Sequence, residues 1–246
     1  MNDPVEDEGL SSLPPFPRVG YQTGRGIEGG YWRNFNCYEL EAQALNAKPK
    51  TMRRWAEESA AQGGALILPL PDHFVAVDLD EAARKARWTQ VQGLVEQLSP
   101  ATLLLRTRAQ LRPSTENIAA LRALLTARPQ SLPPLAWWPE GLWSPEMIRE
   151  LTEALSLIPV VDPLQWDEAE DGPLPTSPDG EFYWRVIGSR RFGARLTDYE
   201  LEQLLQLSLS QRGAGTVVFA APQLRGDARR WRKLRQDDSW QLGFLS

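Results

Sequence analysis

The chain has 246 residues, 42% hydrophobic and 24% charged, with 27 basic and 32 acidic side chains and a net charge of −5 at pH 7. Those values fit an ordinary globular protein and exclude a disordered chain or a membrane bundle, since no apolar run approaches the roughly 20 residues needed to cross a bilayer. One cysteine (Cys37) and one histidine (His73) exclude an internal disulfide and a His- or Cys-rich metal cage, and they argue against a Ser-His-Asp relay.

Residues 1–17 join an acidic start to Pro14, Pro15 and Pro17 and read as a flexible lead-in, with no signal peptide, to a domain over 18–246. A first strand is expected over 19–22, followed by glycines 24, 26, 29 and 30. Gly24, Gly26 and Gly29 match the spacing of a dinucleotide loop. No helix of useful length follows, so the match carries little. Residues 37–43 form a second expected strand. A helix starts at Pro49, where proline suits the first turn, and ends at Gly63 and Gly64. Then come a strand over 65–70, a helix over 81–98, a strand over 102–105 and a helix over 113–127. A strand over 135–138 precedes the helix start Ser144, Pro145, Glu146, which offers a hydroxyl cap, a first-turn proline and an acid. A strand over 158–161 leads into residues 163–180, rich in Pro, Gly and Asp and without a helical pattern. A strand over 182–187 precedes a capping box at Thr197 and Glu200. A strand over 216–220 and a helix over 226–235 complete the series.

Eight strand–helix units in one domain of this length predict a single parallel (β/α)8 barrel, with a Pro-rich loop in place of the helix after strand six. An open doubly wound sheet is the competing architecture.

Several segments, in order, resemble the YecE-like family of TIM barrels, catalogued as a domain of unknown function. They are Phe35, Asn36, Cys37, Tyr38, Glu39 with Arg53, Arg54, Trp55; Leu103 to Arg106 with Arg112, Pro113, Ser114; Val160, Val161, Asp162; Tyr183, Trp184, Arg185; and Arg225, Gly226, Asp227. The resemblance implies the barrel fold. It also exposes departures: Ile67 stands where the family has a lysine, Trp137 and Pro139 replace an acid–arginine pair, Ile187 replaces a histidine, and Ala220 and Ala221 replace paired asparagines. Polar positions of the family's pocket have become apolar, which implies an eroded site.

Side chains at C-terminal strand ends line the mouth where barrel enzymes work. Glu39, Asp162 and Arg185 are therefore the candidate catalytic residues. Glu41, Arg106 and Trp137 join them as ligand-binding candidates, because Glu39, Glu41 and Gln43 share one parity on the expected strand. The competing reading is that Arg106 and Arg185 neutralise Glu39 and Asp162 in a buried ion network. Ser189, Arg190 and Arg225, on loops after strands seven and eight, are candidates for binding an anion. The basic last helix, with Trp231 among its arginines, reads as a solvated outer helix. The expected role is a non-catalytic binding or regulatory partner in the cytoplasm. Its expected partners are a protein or an anionic small molecule, without metal, cofactor, nucleic acid or membrane. The alternative is an enzyme acting on a sugar or phosphorylated metabolite.

Overall fold

The computed structural model describes residues 15–23, 27–187 and 195–237. In chain order the elements are β1 (Arg18–Tyr21), β2 (Cys37–Glu39), α1 (Pro49–Ala61), β3 (Ala65–Pro69), α2 (Glu81–Leu98), β4 (Thr102–Thr107), α3 (Thr115–Thr126), β5 (Leu135–Pro139), α4 (Pro145–Ala154), β6 (Ile158–Val161), α5 (Glu168–Asp171), β7 (Phe182–Val186), α6 (Asp198–Ser210), β8 (Gly215–Phe219) and α7 (Arg225–Gln236). All strand pairs are parallel, in the order β1-β8-β7-β6-β5-β4-β3-β2. The chain is thus an α/β barrel of the TIM type.

The helices begin where the sequence supplies a cap for their orphan N–H groups. Asp80 accepts from the Ala83 N–H, Ser114 from Asn117, and Ser144 from Met147, while Thr197 and Glu200 form the complete capping box of α6. Alternation along the strands sorts their side chains into two layers. Val19, Leu66, Leu103, Trp137, Trp184 and Val217 pack outward under the helices, and Cys37, Ile67, Leu104, Ala136, Tyr183 and Val218 fill the barrel. Four tryptophans (Trp88, Trp137, Trp184, Trp231) are fully buried. Truncating one of that size to alanine typically costs about 3–5 kcal/mol.

The barrel closes at β1 and β2 without a strand ladder. The Val19 N–H donates to Asn36 Oδ1 (2.6 Å), and the Asn36 N–H donates back to the Val19 carbonyl (3.1 Å). Tyr31, in a 3-10 turn at Tyr31–Arg33, accepts from the Tyr21 N–H (3.0 Å) and donates to the Cys37 carbonyl (2.7 Å) through one hydroxyl. The strands approach so closely that a Cβ on Gly20 would lie 2.4 Å from the Cys37 carbonyl oxygen, so this position requires glycine.

Two expectations need correction. The second strand stops at Glu39 instead of running to 43, because residues Ala42–Asn46 coil into a 3-10 helix. The β6–β7 interval is not wholly loop. Asp167 caps one helical turn, α5, which Gly172 (φ 73°) and then Pro173 and Pro175 stop from propagating.

Candidate functional site at the barrel mouth

Glu39 ends β2 on the inward parity of Cys37 and is 3% exposed. Its Oε1 accepts from Gln22 Nε2 (2.5 Å) and from Arg185 Nε (3.4 Å), and its Oε2 accepts from the Tyr183 hydroxyl (2.6 Å). Burial, reinforced by the neighbouring Glu39 carboxylate, holds the Tyr183 phenol well above its ordinary pKa, so it remains a donor. One layer deeper, burial also raises the Cys37 thiol far beyond the reactive range, which makes it an inert interior side chain.

Arg185 spends only Nε on Glu39. Its guanidinium carbon sits 3.9 Å from the centre of the Trp138 ring, and that of Arg106 sits 4.5 Å from the same ring. Two cations therefore share one indole. Arg106 is also paired with Glu140, just beyond β5 (2.5 Å). Among the described residues, no acceptor bonds the terminal nitrogens of Arg185, and the buried Arg106 Nε and Glu41 Oε1 find no hydrogen-bond partner.

Asp162 is at the mouth but performs a different task. Its Oδ1 accepts from the Leu164 N–H (3.1 Å), and its Oδ2 from Gln165 Nε2 (3.0 Å) and from the Ile187 N–H (2.8 Å). It ties the end of β6 to the end of β7.

The structure thus brings Glu39 and Arg185 together and separates them from several predicted companions. The expected four-member ion network divides: Arg106 goes to Glu140, and Asp162 to backbone and glutamine donors. Glu41 lies past the end of β2, so it does not share Glu39's strand parity. Trp137 faces the helices, not the mouth. It is fully buried, donates to Thr107 Oγ1 (3.1 Å) and meets Trp143 edge to face at 5.2 Å. Its neighbour Trp138 takes the mouth position, because adjacent strand residues point to opposite faces. Arg225 bonds Glu28 (3.2 Å) and lies over the Tyr21 ring (5.5 Å), which commits it to the β1–β2 connection. Ser189 and Arg190, like Gly24 and Gly26, fall outside the described residues. Trp231 packs on the barrel, and Arg230 of the same helix pairs with Asp227 and Asp198.

Sequence reasoning missed Gln22, Trp138, Glu140 and Tyr183. Tyr183 was within reach, since it lies two residues before Arg185 and must share its face. Glu140 carried no periodic signal.

Among the described residues, no three His, Cys, Asp or Glu side chains gather in a metal-binding cluster, and no helix is long and apolar enough to cross a membrane.

Comparison with solved structures returns the same architecture. A DUF72 family protein from Thermotoga maritima superposes with a TM-score of 0.63 at 19% identity, covering 85% of this chain and 88% of that one. A DUF72 family protein from Enterococcus faecalis V583 gives 0.61 at 15% identity, covering 90% and 94%. The fold is that of the DUF72, YecE-like barrels. Those two neighbours bear out the barrel fold that the sequence motifs imply. Endonuclease IV from Thermus thermophilus gives 0.56 at 14% identity over 92% of this chain and all (100%) of that one. No protein-family profile and no curated relative matches the sequence.

Proposed function

We propose that this DUF72-type barrel is a binding or regulatory protein whose mouth recognises a small anionic ligand, and that it does not act as an acid–base catalyst. The observation that carries the reading is the state of Glu39. Both of its oxygens are engaged, Oε1 by Gln22 and Arg185 and Oε2 by Tyr183, so three donors hold its buried carboxylate inside the barrel, which disfavours it as a general base. The cationic side differs. Arg185 keeps two terminal nitrogens unbonded among the described residues, and Arg106 lies beside it on the indole of Trp138. Two guanidiniums held on a rigid aromatic platform match the planar, bidentate geometry of a carboxylate or phosphate. The loss of polar groups at the positions of Ile67, Ile187 and Ala220 points the same way.

The alternative is an enzyme on a sugar or phosphorylated metabolite. It has in its favour the placement of Glu39, Asp162 and Arg185 at C-terminal strand ends.

Isothermal titration calorimetry of the full chain with inorganic phosphate and with citrate separates the two. At least one anion is expected to bind, and Arg185→Met is expected to weaken that binding tenfold or more. Arg106→Met, at a half-exposed side chain, repeats the test should Arg185→Met fail to fold. Neither anion binding, or both variants binding as well as the parent, overturns the proposal. Turnover of ribose 5-phosphate or glucose 6-phosphate that disappears in Glu39→Gln establishes the enzyme instead.

A further inference from the structure

The β6–β7 interval leaves a groove of about 400 Å³ on the outside of the barrel, between residues 163–174 and α6. Five of the other strand-to-strand intervals place a helix of 10 to 18 residues over the sheet. Here the single turn of α5 leaves Leu164, Trp166, Leu174 and Leu207 only partly covered.

The groove is preorganised. Asp162 clamps the Leu164 N–H and the Gln165 side chain, the Trp166 indole N–H donates to the Gly172 carbonyl (2.8 Å), and Arg149 donates to the Asp171 carbonyl (2.7 Å). Its apolar floor is therefore held by hydrogen bonds that a partner does not need to make, which lowers the ordering cost of binding. Its rim has one sign. Asp167 and Glu168 line it, Glu170 follows on the same turn, and all three are exposed with no ion pair among the described residues. Among the described residues, no lysine or arginine lines the groove.

We propose that this groove docks an amphipathic helix of a partner protein, with aliphatic side chains on the Trp166–Leu207 floor and lysine or arginine along the flank that meets Asp167, Glu168 and Glu170. Charge complementarity selects a basic partner. The secondary structure follows from the site. The barrel offers no free sheet edge for an added strand at this interval, since β6 and β7 pair with each other and with β5 and β8. A short furrow floored by leucines and one indole instead fits apolar residues spaced three and four apart on a helix. The hollow of about 500 Å³ beside Trp32 is walled by Arg33 and Arg54 together with Glu28 and Glu58, and its mixed charge selects no partner.

The test uses the full chain and a fluorescein-labelled 16-residue peptide with leucines at helical spacing and lysines on the flanks, beside a twin with glutamates replacing the lysines. In fluorescence anisotropy the lysine peptide is expected to bind at least tenfold more tightly than its twin, and to weaken as salt rises. Glu168→Lys with Glu170→Lys, both at exposed positions, is expected to abolish that preference. Leu207→Gln leaves the net charge unchanged and is expected to weaken binding fivefold or more at an unchanged melting temperature. Should Leu207→Gln unfold the chain, Leu174→Gln takes its place. Equal binding of both peptides, no binding, or binding indifferent to the charge-neutral variants overturns the proposal, the last being what diffuse attraction to an acidic protein produces. Arg185→Met is expected to bind the peptide like the parent, so failure at the groove and failure at the mouth are read separately.

Discussion

Between β1 and β2, and again between β6 and β7, the chain passes from one strand to the next without a full helix, and it closes the two intervals differently. At β1–β2 the substitute is internal. Tyr31 stacks on Tyr21 (5.2 Å), meets Tyr38 edge to face (5.1 Å) and contacts Phe35 (5.1 Å), while its hydroxyl bridges the two strands. At β6–β7 the strands are already joined by a ladder, and the strap outside them is held by side-chain hydrogen bonds of Asp162, Trp166 and Arg149 and leaves apolar surface at a groove. Both intervals lack a full-length helix, but only the first carries the closure of the barrel. Residues there answer to the fold, whereas residues along the strap are free to answer to a partner.

That contrast is broken most severely at Gly20. Gly20→Ala drives a methyl group against the Cys37 carbonyl and the Tyr31 hydroxyl, and neither backbone can yield without opening the seam. The expected loss is about 3 kcal/mol or more, at the upper end of overpacking costs, read as a lowered urea midpoint. Tyr31→Phe keeps the ring and removes the bridge, stranding the Tyr21 N–H and the Cys37 carbonyl. About 1–3 kcal/mol is expected, from the same measurement.

The seam also carries a pH signature. Burial raises the Tyr31 phenol well above its ordinary value near 10, and burial likewise raises Tyr38, to about 12, and Tyr183. A raised phenol favours the folded, protonated state. Its stabilisation is full below the unfolded value near 10 and declines as pH rises from there toward the folded value, because the unfolded chain releases protons first. Urea midpoints are expected to hold between pH 8 and 9.5 and to fall above pH 10, less steeply in Tyr31→Phe. A fall of equal slope in that variant removes Tyr31 from the account.

The smallest effect belongs to the strap. Trp166→Phe removes the hydrogen bond to Gly172 and is expected to cost about 1 kcal/mol. Faster amide exchange should be confined to the strap, with the β1–β2 seam as protected as before.

The architecture was legible from the sequence because its signals are local. Pro145 after Ser144, the Thr197–Glu200 box and the alternating apolar strands each specify an element without reference to distant residues. The site was legible only in part. Strand alternation puts the adjacent Trp137 and Trp138 on opposite faces but does not say which one faces inward, and the choice depends on the register of β5 against β4. Glu39, Glu41 and Gln43 look like strand alternation, yet the chain coils after Leu40. The bridge through Tyr31 has no pattern at all, since it depends on a hydroxyl reaching across a seam that exists only once the barrel is closed.

The register Arg18↔Thr216 has a consequence for biosynthesis. The ladder partner of β1 leaves the ribosome about 200 residues later, which at roughly 5–20 residues per second is on the order of 10–40 s. Throughout that interval β1 has an unpaired edge of the kind that invites aggregation. Asn36 and Tyr31 emerge within about 20 residues of it, so their contacts are the first available to tether the strand. A nascent chain carrying Tyr31→Phe meets its hazard before β8 exists.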